Sequence, residues 1–197
     1  MNRLPRVICS KVLYETKWIS LKELAYKDLK DVERSYITVE RTTRRADLNL
    51  DAVIVLPLLK STLETQAVLI RQFRPPLDNW TIELPAGLID PNESIESTVA
   101  REIKEETGYT VSNIVSIGPT IANDQGLTNG NCRFVVAEVE KDSNGLALQE
   151  LEETEMIEVL HVPISKLLET LHLREKEFGD SIDARLYSFA LGQQFRI

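Results

Sequence analysis

Cysteine is scarce: Cys9 and Cys132 are the two in 197 residues, and they stand far apart. With no CxxC pair and no Cys/His cluster, a zinc site has no ligand set. Two isolated thiols suggest a reducing, intracellular setting rather than a disulfide framework. Long apolar runs are missing too. The longest, Ala52 to Leu59 (AVIVLPLL), falls far short of the ~20 residues that cross a bilayer. The opening MNRLPRVICSKVLYETK lacks the apolar block of a signal peptide. The expectation is a cytoplasmic protein, with the nucleus as the alternative compartment, and no membrane partner. Positive charge is in deficit, with 23 Lys and Arg against 31 Asp and Glu and a formal net charge of -8. Such a chain repels a nucleic-acid backbone, which argues against DNA or RNA as a partner. An acidic site still accepts phosphate esters if cations lie between them.

What remains is ordinary globular material, 43% hydrophobic and 27% charged, long enough for one domain with a small appendage. Residues 1–50 read as a β-rich segment. Val7 to Tyr14, Lys17 to Tyr26 and Arg34 to Thr42 carry β-branched or aromatic residues between polar turns. Arg44 to Asp51 is polar and forms the joint to a second region, 51–197. There, Ala52 to Leu59 and Gln66 to Phe73 read as buried strands. Pro75 and Pro76 force a loop, and Trp80 to Leu84 is a short strand. Pro85 to Glu93 is a loop, and Ser94 caps a helix over Ile95 to Thr107 that Gly108 ends. Strands at Thr110 to Ile117, Cys132 to Glu140 and Met156 to His161 follow, then helices over Ile164 to Phe178 and Ile182 to Gln194. This order predicts an α+β sandwich.

The helix from Ile95 to Thr107 carries the chemistry. At ~100° per residue, Ile95, Val99 and Ile103 form the apolar stripe, and Glu102 and Glu106 project within ~20° of Ile95. Two carboxylates one turn apart thus share the face that enters the core, with Arg101 and Glu105 beside them. The pair repels itself. Three glutamates crowd the end of a helix whose dipole there favours cations, and a carboxylate against apolar surface loses hydration. A divalent cation relieves all three penalties, since carboxylate oxygens are what Mg2+ binds. The competing explanation is a solvated acidic face paired locally to Arg101 and Lys104.

The surrounding residues favour the cation. Gly87, five residues, Glu93, seven residues, then Arg101-Glu102-Ile103-Lys104-Glu105-Glu106-Thr107-Gly108-Tyr109 resembles the Nudix signature at every specified position. The resemblance implies a Nudix-type α/β/α sandwich of mixed sheets that hydrolyses a nucleoside diphosphate derivative with Mg2+, Mn2+ being a substitute. It makes Glu102 and Glu106 the principal metal ligands, Glu105 a further ligand or base, the Ala86 carbonyl an extra ligand, and Glu93 and Arg101 the groups that orient them. Gly87 would let the backbone turn tightly beside metal and phosphate.

The stretch from about Trp18 to Leu191 is similar to the ADP-ribose and ADP-sugar pyrophosphatases, through WISLKEL, SYITVERTTRR, LIRQFRPP, IELPAGLID, NDQGLTN, EMIEVLHVP and DARLYSFAL. That subfamily cuts ADP-ribose to AMP and ribose 5-phosphate, as homodimers whose N-terminal strands cross to the partner. The resemblance assigns Trp18 and Tyr36 to adenine stacking, Arg41 and Arg74 to the diphosphate or its ribose, and Glu83 and Asp124 to the terminal ribose. It assigns Glu155 to activation of water. Each has a plainer explanation: strand aromatics, surface arginines, an alternating strand glutamate facing solvent, a turn aspartate, and one carboxylate in the acidic run Glu150 to Glu158. Gln125 stands where the subfamily often has proline, which loosens the substrate assignment. The alternatives are a Nudix enzyme for oxidised nucleoside diphosphates, dinucleoside polyphosphates, NADH or capped RNA, and a non-catalytic ADP-ribose sensor.

Overall fold

The computed structural model describes residues 4–45 and 47–195. Residues 1–3 of the β-rich segment, residue 46 of the polar joint and residues 196–197 lie outside the described residues. The chain divides into two compact units, Met1–Ala52 with Thr120–Arg133, and Val53–Pro119 with Phe134–Ile197.

The first unit is an antiparallel meander of β1 (Arg6–Glu15), β2 (Ile19–Lys27) and β3 (Glu33–Arg41). The β2–β3 ladder runs Ile19 opposite Arg41 to Lys27 opposite Glu33 without interruption, while the β1–β2 ladder shifts register between Val7 and Cys9 and between Val12 and Tyr14. β1 is exposed at all ten positions, including Val7, Ile8, Val12, Leu13 and Tyr14. The 120–133 segment joins this unit through β3. Val39 N–H donates to Leu127 O (3.1 Å), Thr38 Oγ1 to the same carbonyl (2.9 Å), and the Tyr36 hydroxyl to Gly126 O. The polar stretch after β3 holds a buried fork. Arg44 Nε and a terminal nitrogen bond the Asp51 carboxylate at 2.8 and 2.6 Å, and Asp51 exchanges bonds with Asn131.

The second unit holds a mixed sheet with three helices, the expected α+β class. Its strands are β4 (Ala52–Leu59), β5 (Gln66–Arg74), β6 (Asn79–Glu83), β7 (Ala86–Leu88), β8 (Thr110–Ala122), β9 (Asn131–Glu140), β10 (Ile157–Pro163) and β11 (Ser181–Ile182). β8 and β9 run on into the first unit. The path is β11-β6-β5-β4-β9-β8, with β10 pairing β5 and β7 pairing β4. Val53 to Pro57 in β4 and Ala67 to Ile70 in β5 are buried without alternation. This follows from covering a strand on both faces. The core is completed by Val99 and Ile103 of α1 (Ile95–Thr107), Leu167, Leu168 and Leu171 of α2 (Leu167–Phe178), and Leu186 and Ala190 of α3 (Ala184–Gln194).

Beyond shifts of one or two residues at strand ends, four details differ from expectation. β8 continues through Gly118 and Pro119 to Ala122. It ends the sheet path, and a proline is tolerated where its missing N–H faces no partner. The Pro85 to Glu93 loop contains the short strand β7. The helix expected from Ile164 begins as a 3-10 turn at Ile164–Lys166. Ile182 belongs to β11, whose parallel pairing with β6 ends before Asp183 caps α3.

Candidate active site

α1 has the expected bounds. Ser94 accepts from Ser97 N–H and Ser97 Oγ accepts from Ser94 N–H, a capping box with serine in the position glutamate often takes. Gly108 closes the helix with φ 75°. The buried face comprises Thr98, Val99, Glu102, Ile103, Glu106 and Thr107. Ile95 is half-buried, so the apolar stripe starts one turn later than its spacing predicts. Both carboxylates are inside: Glu102 is 8% and Glu106 3% exposed. Burial, with the like charges of Glu105 and Glu155 overriding the pull of Arg101, raises the Glu102 carboxyl to about 7. Burial first, and then the charge of Glu102, raises Glu106 to about 9.

Arg101 is the hub of the visible charge. One terminal nitrogen reaches Glu102 Oε1 (2.6 Å) and Glu105 Oε2 (3.0 Å). Nε and the other terminal nitrogen grip the two oxygens of Glu93 at 2.8 and 2.9 Å, and the latter also reaches Leu88 O. Glu93 further accepts from Thr98 Oγ1 (2.8 Å) and Asp90 N–H (3.2 Å). These bonds, the fork to Arg101 first, hold its carboxyl down at about 2. Glu106 has a thinner environment: among the described residues its carboxylate accepts one bond, from Ala86 N–H at 3.0 Å. No three carboxylate, imidazole or thiol groups among the described residues are already gathered into a metal cage. The donor set still fits a divalent cation. It consists of carboxylate oxygens, buried, mutually repelling and only partly neutralised by Arg101.

Gly87 plays a different part from the one expected. It has no positive φ and lies in β7. A Cβ built there would fall 1.7 Å from Glu102 Oε1. Glycine is required because the Glu102 carboxylate occupies the space a side chain would fill.

Arg74 and Glu83 meet in the same unit. Arg74 Nε and a terminal nitrogen fork onto the two oxygens of Glu83 at 2.8 and 2.7 Å. Glu83 is 7% exposed, so the reading of an alternating glutamate in solvent fails. β5 and β6 bury it through the pairing Ile70 opposite Glu83. Next to it, where β11 runs parallel to β6, Arg185 donates a fork of bonds to the Asp183 carboxylate. Glu155 stands in a tight turn, its Oε2 accepting from Glu152 N–H at 2.9 Å. Its charge reaches both Glu102 and Glu106.

Trp18, Tyr36, Arg41 and Asp124 belong to the first unit. Trp18 is 55% exposed with Lys17 Nζ 4.4 Å from its ring, and Tyr36 is 43% exposed. Trp18 O accepts from Thr42 N–H, while Tyr36 pairs with Leu24. Six residues of strand therefore separate them, about 20 Å at ~3.3 Å per residue. Side chains stand roughly perpendicular to a sheet, so within one chain the two rings do not face each other across one base. Asp124 O accepts from Leu127 and Thr128 N–H and shapes the loop. Thr98 steadies Glu93 and belongs to the site although no motif position marks it. The signal for it was a polar residue one turn before Glu102 on the buried face.

The NUDIX domain family matches residues 48–182. An ADP-ribose pyrophosphatase of Saccharomyces cerevisiae is 37% identical over 182 residues, covering 90% of this chain and 78% of that protein. An ADP-sugar pyrophosphatase of Mus musculus is 33% identical over 188 residues, covering 94% and 85%. The crystal structure of an ADP compounds hydrolase aligns with TM-score 0.70 at 16% identity, over 100% of this chain and 99% of that one, and shares the fold.

Proposed function

This chain belongs to the Nudix hydrolase family, and from that premise we propose that it hydrolyses the pyrophosphate of ADP-ribose and related ADP-sugars, with Mg2+ as its cation. The observation that carries the reading is the pair Glu102 and Glu106, buried one turn apart on α1, Glu102 against Gly87 and Glu106 against Ala86 N–H, with only partial neutralisation. Glu102 and Glu106 would hold the cation, with Glu105 and the Ala86 carbonyl beside them. When bound, it neutralises phosphate charge and acidifies a coordinated water.

The protein's own residues do the rest. Arg101 and Glu93 fix the carboxylates in place. Arg74, whose Nε edge is held by Glu83, offers its remaining terminal N–H donors to phosphate oxygens. Glu155 takes the proton of water as its oxygen attacks one phosphorus. The bond from that phosphorus to the bridging oxygen breaks, and the second phosphate leaves with the electron pair. For ADP-ribose the products are AMP and ribose 5-phosphate. The complete Arg101, Glu102, Glu105 and Glu106 set supports catalysis over a sensor that only binds.

The fully exposed apolar strand β1 supports a homodimer in which N-terminal strands cross between protomers. The six residues of strand between Trp18 and Tyr36, about 20 Å at ~3.3 Å per residue, support an adenine sandwich that draws one ring from each protomer. The test is product analysis with ADP-ribose, ADP-glucose, GDP-mannose and 8-oxo-dGDP, with and without Mg2+. The expected result is cation-dependent release of AMP, fastest from ADP-ribose. A tenfold preference for a guanine substrate, about 1.4 kcal/mol in transition-state binding, would overturn the ADP-sugar assignment and leave the Nudix chemistry standing.

A further inference from the structure

The last turn of α1 ends in carbonyls that the helix itself cannot satisfy, and they belong to the residues that matter. The loop between β9 and β10 supplies their donors. Glu150 N–H donates to Glu105 O at 2.9 Å, and the Gln149 side-chain amide donates to Glu106 O at 2.6 Å. The same amide nitrogen reaches Ile157 O, the first residue of β10, at 3.3 Å. Gln149 therefore touches the helix with one hydrogen and the far end of its own loop with the other. The backbone just ahead of it is pressed onto the helix end. A Cβ on Gly108 would lie 2.4 Å from Ala147 C and from Leu148 N. On the far side, Phe73 N–H donates to Met156 O.

Both ends of the segment 150–156 are thus pinned, and Glu155 lies inside it. Its Oε2 accepts from Glu152 N–H, which holds the carboxylate in the turn, and an ionised carboxylate keeps further lone pairs with which to accept a proton from water. What is free to change is the short turn; its base is fixed to the helix that bears Glu102 and Glu106.

We propose that Gln149 is a positioning residue for hydrolysis: its amide clamps the loop carrying Glu155 onto the end of α1, so that the carboxylate is held at a set place relative to Glu102 and Glu106. The inference rests on the reading of Glu155 as the base. It gives Gln149 a role through another residue, with no contact to substrate.

The test is steady-state kinetics on whichever ADP-sugar the wild-type enzyme cleaves best, for Gln149→Leu, Glu155→Gln and the double variant, each first shown to melt cooperatively. Gln149→Leu removes both donated bonds while keeping an apolar side chain of similar bulk. The expected result is a kcat reduced about ten- to a hundredfold, the scale of a misplaced reacting group, with KM within about twofold. The double variant should match Glu155→Gln alone, since a clamp has nothing to position once the base is gone. Losses that multiply, or a kcat for Gln149→Leu near wild type, overturn the proposal. If Glu155→Gln itself keeps wild-type kcat, Glu155 is not the base, and a slow Gln149→Leu would then act on α1 alone, which also overturns it. Should Gln149→Leu not fold, Gln149→Glu keeps the length but sets an acceptor against two carbonyls, and the same kinetic outcomes decide.

Discussion

Position 106 is a liability in the protein alone and, under the proposed function, the side chain that the cation needs. Its carboxyl, raised to about 9 by burial and by Glu102, keeps its proton in the folded chain long after the unfolded chain, near 4.5, has lost it. The folded state therefore binds the extra proton between those values. Stability from this group is fully present below about pH 4.5 and is lost as pH rises toward 9. Glu102, raised to about 7, acts in the same sense. His161, whose pKa burial lowers, works in the opposite sense near neutrality, so the difference between wild type and variant is the clean readout. In chelator, Glu106→Gln should melt higher than wild type at pH 8, with the gap closing by pH 5. The same variant should lose about a hundredfold or more of turnover with Mg2+. Thermal melts at the two pH values and an activity assay decide it. A constant melting difference, or near-normal turnover, would sink the assignment. The carboxylate pair was legible in the sequence because four-residue spacing fixes a helix face. The burial of Glu83 was not, since strand alternation alone leaves open which face is covered.

Among elements, α1 was the most legible, because its cap at Ser94, its periodicity and its stop at Gly108 are all written within fifteen residues of one another. β4 and β5 were readable for a related reason, as continuous apolar runs need cover on both faces. β7 and β11 carry no such signal. Strands of two or three residues exist only through the partner they pair with. Nor could Gly108 show its second duty. As a helix stop it needs positive φ, but the backbone of residues 147–148 also lies where a Cβ would stand. Gly108→Ala should accordingly cost more than a left-handed alanine alone, about 2–4 kcal/mol with the overlap included. That corresponds to a melting temperature roughly 5–15 °C lower in a chain of this size. A drop of only a degree or two in a thermal melt would show that the loop moves aside without penalty.

At the scale of the whole molecule, the association of 120–133 with the N-terminal meander was hidden from the sequence. It rests on bonds between residues some ninety positions apart, such as Thr38 with Leu127. The proposed homodimer is best examined by complementation. Trp18→Ala and Tyr36→Ala should each raise KM, stacking on a base being worth ~1–3 kcal/mol. If each sandwich takes one ring from each protomer, a mixed dimer has one site lacking both rings and one site intact. Random exchange makes half the dimers mixed, so about a quarter of the sites regain wild-type KM in a symmetric dimer. No recovery on mixing would mean that each site draws both rings from one chain, or uses neither. The hub at Arg101 bears on the whole molecule in another way. Its guanidinium already serves as the counter-ion of Glu102 and Glu105 while anchored to Glu93. If the site takes Mg2+ as proposed, loading at Glu102 and Glu105 is therefore ion exchange: the incoming cation displaces part of a resident one, and a measured affinity is the difference between two holds on the same carboxylates.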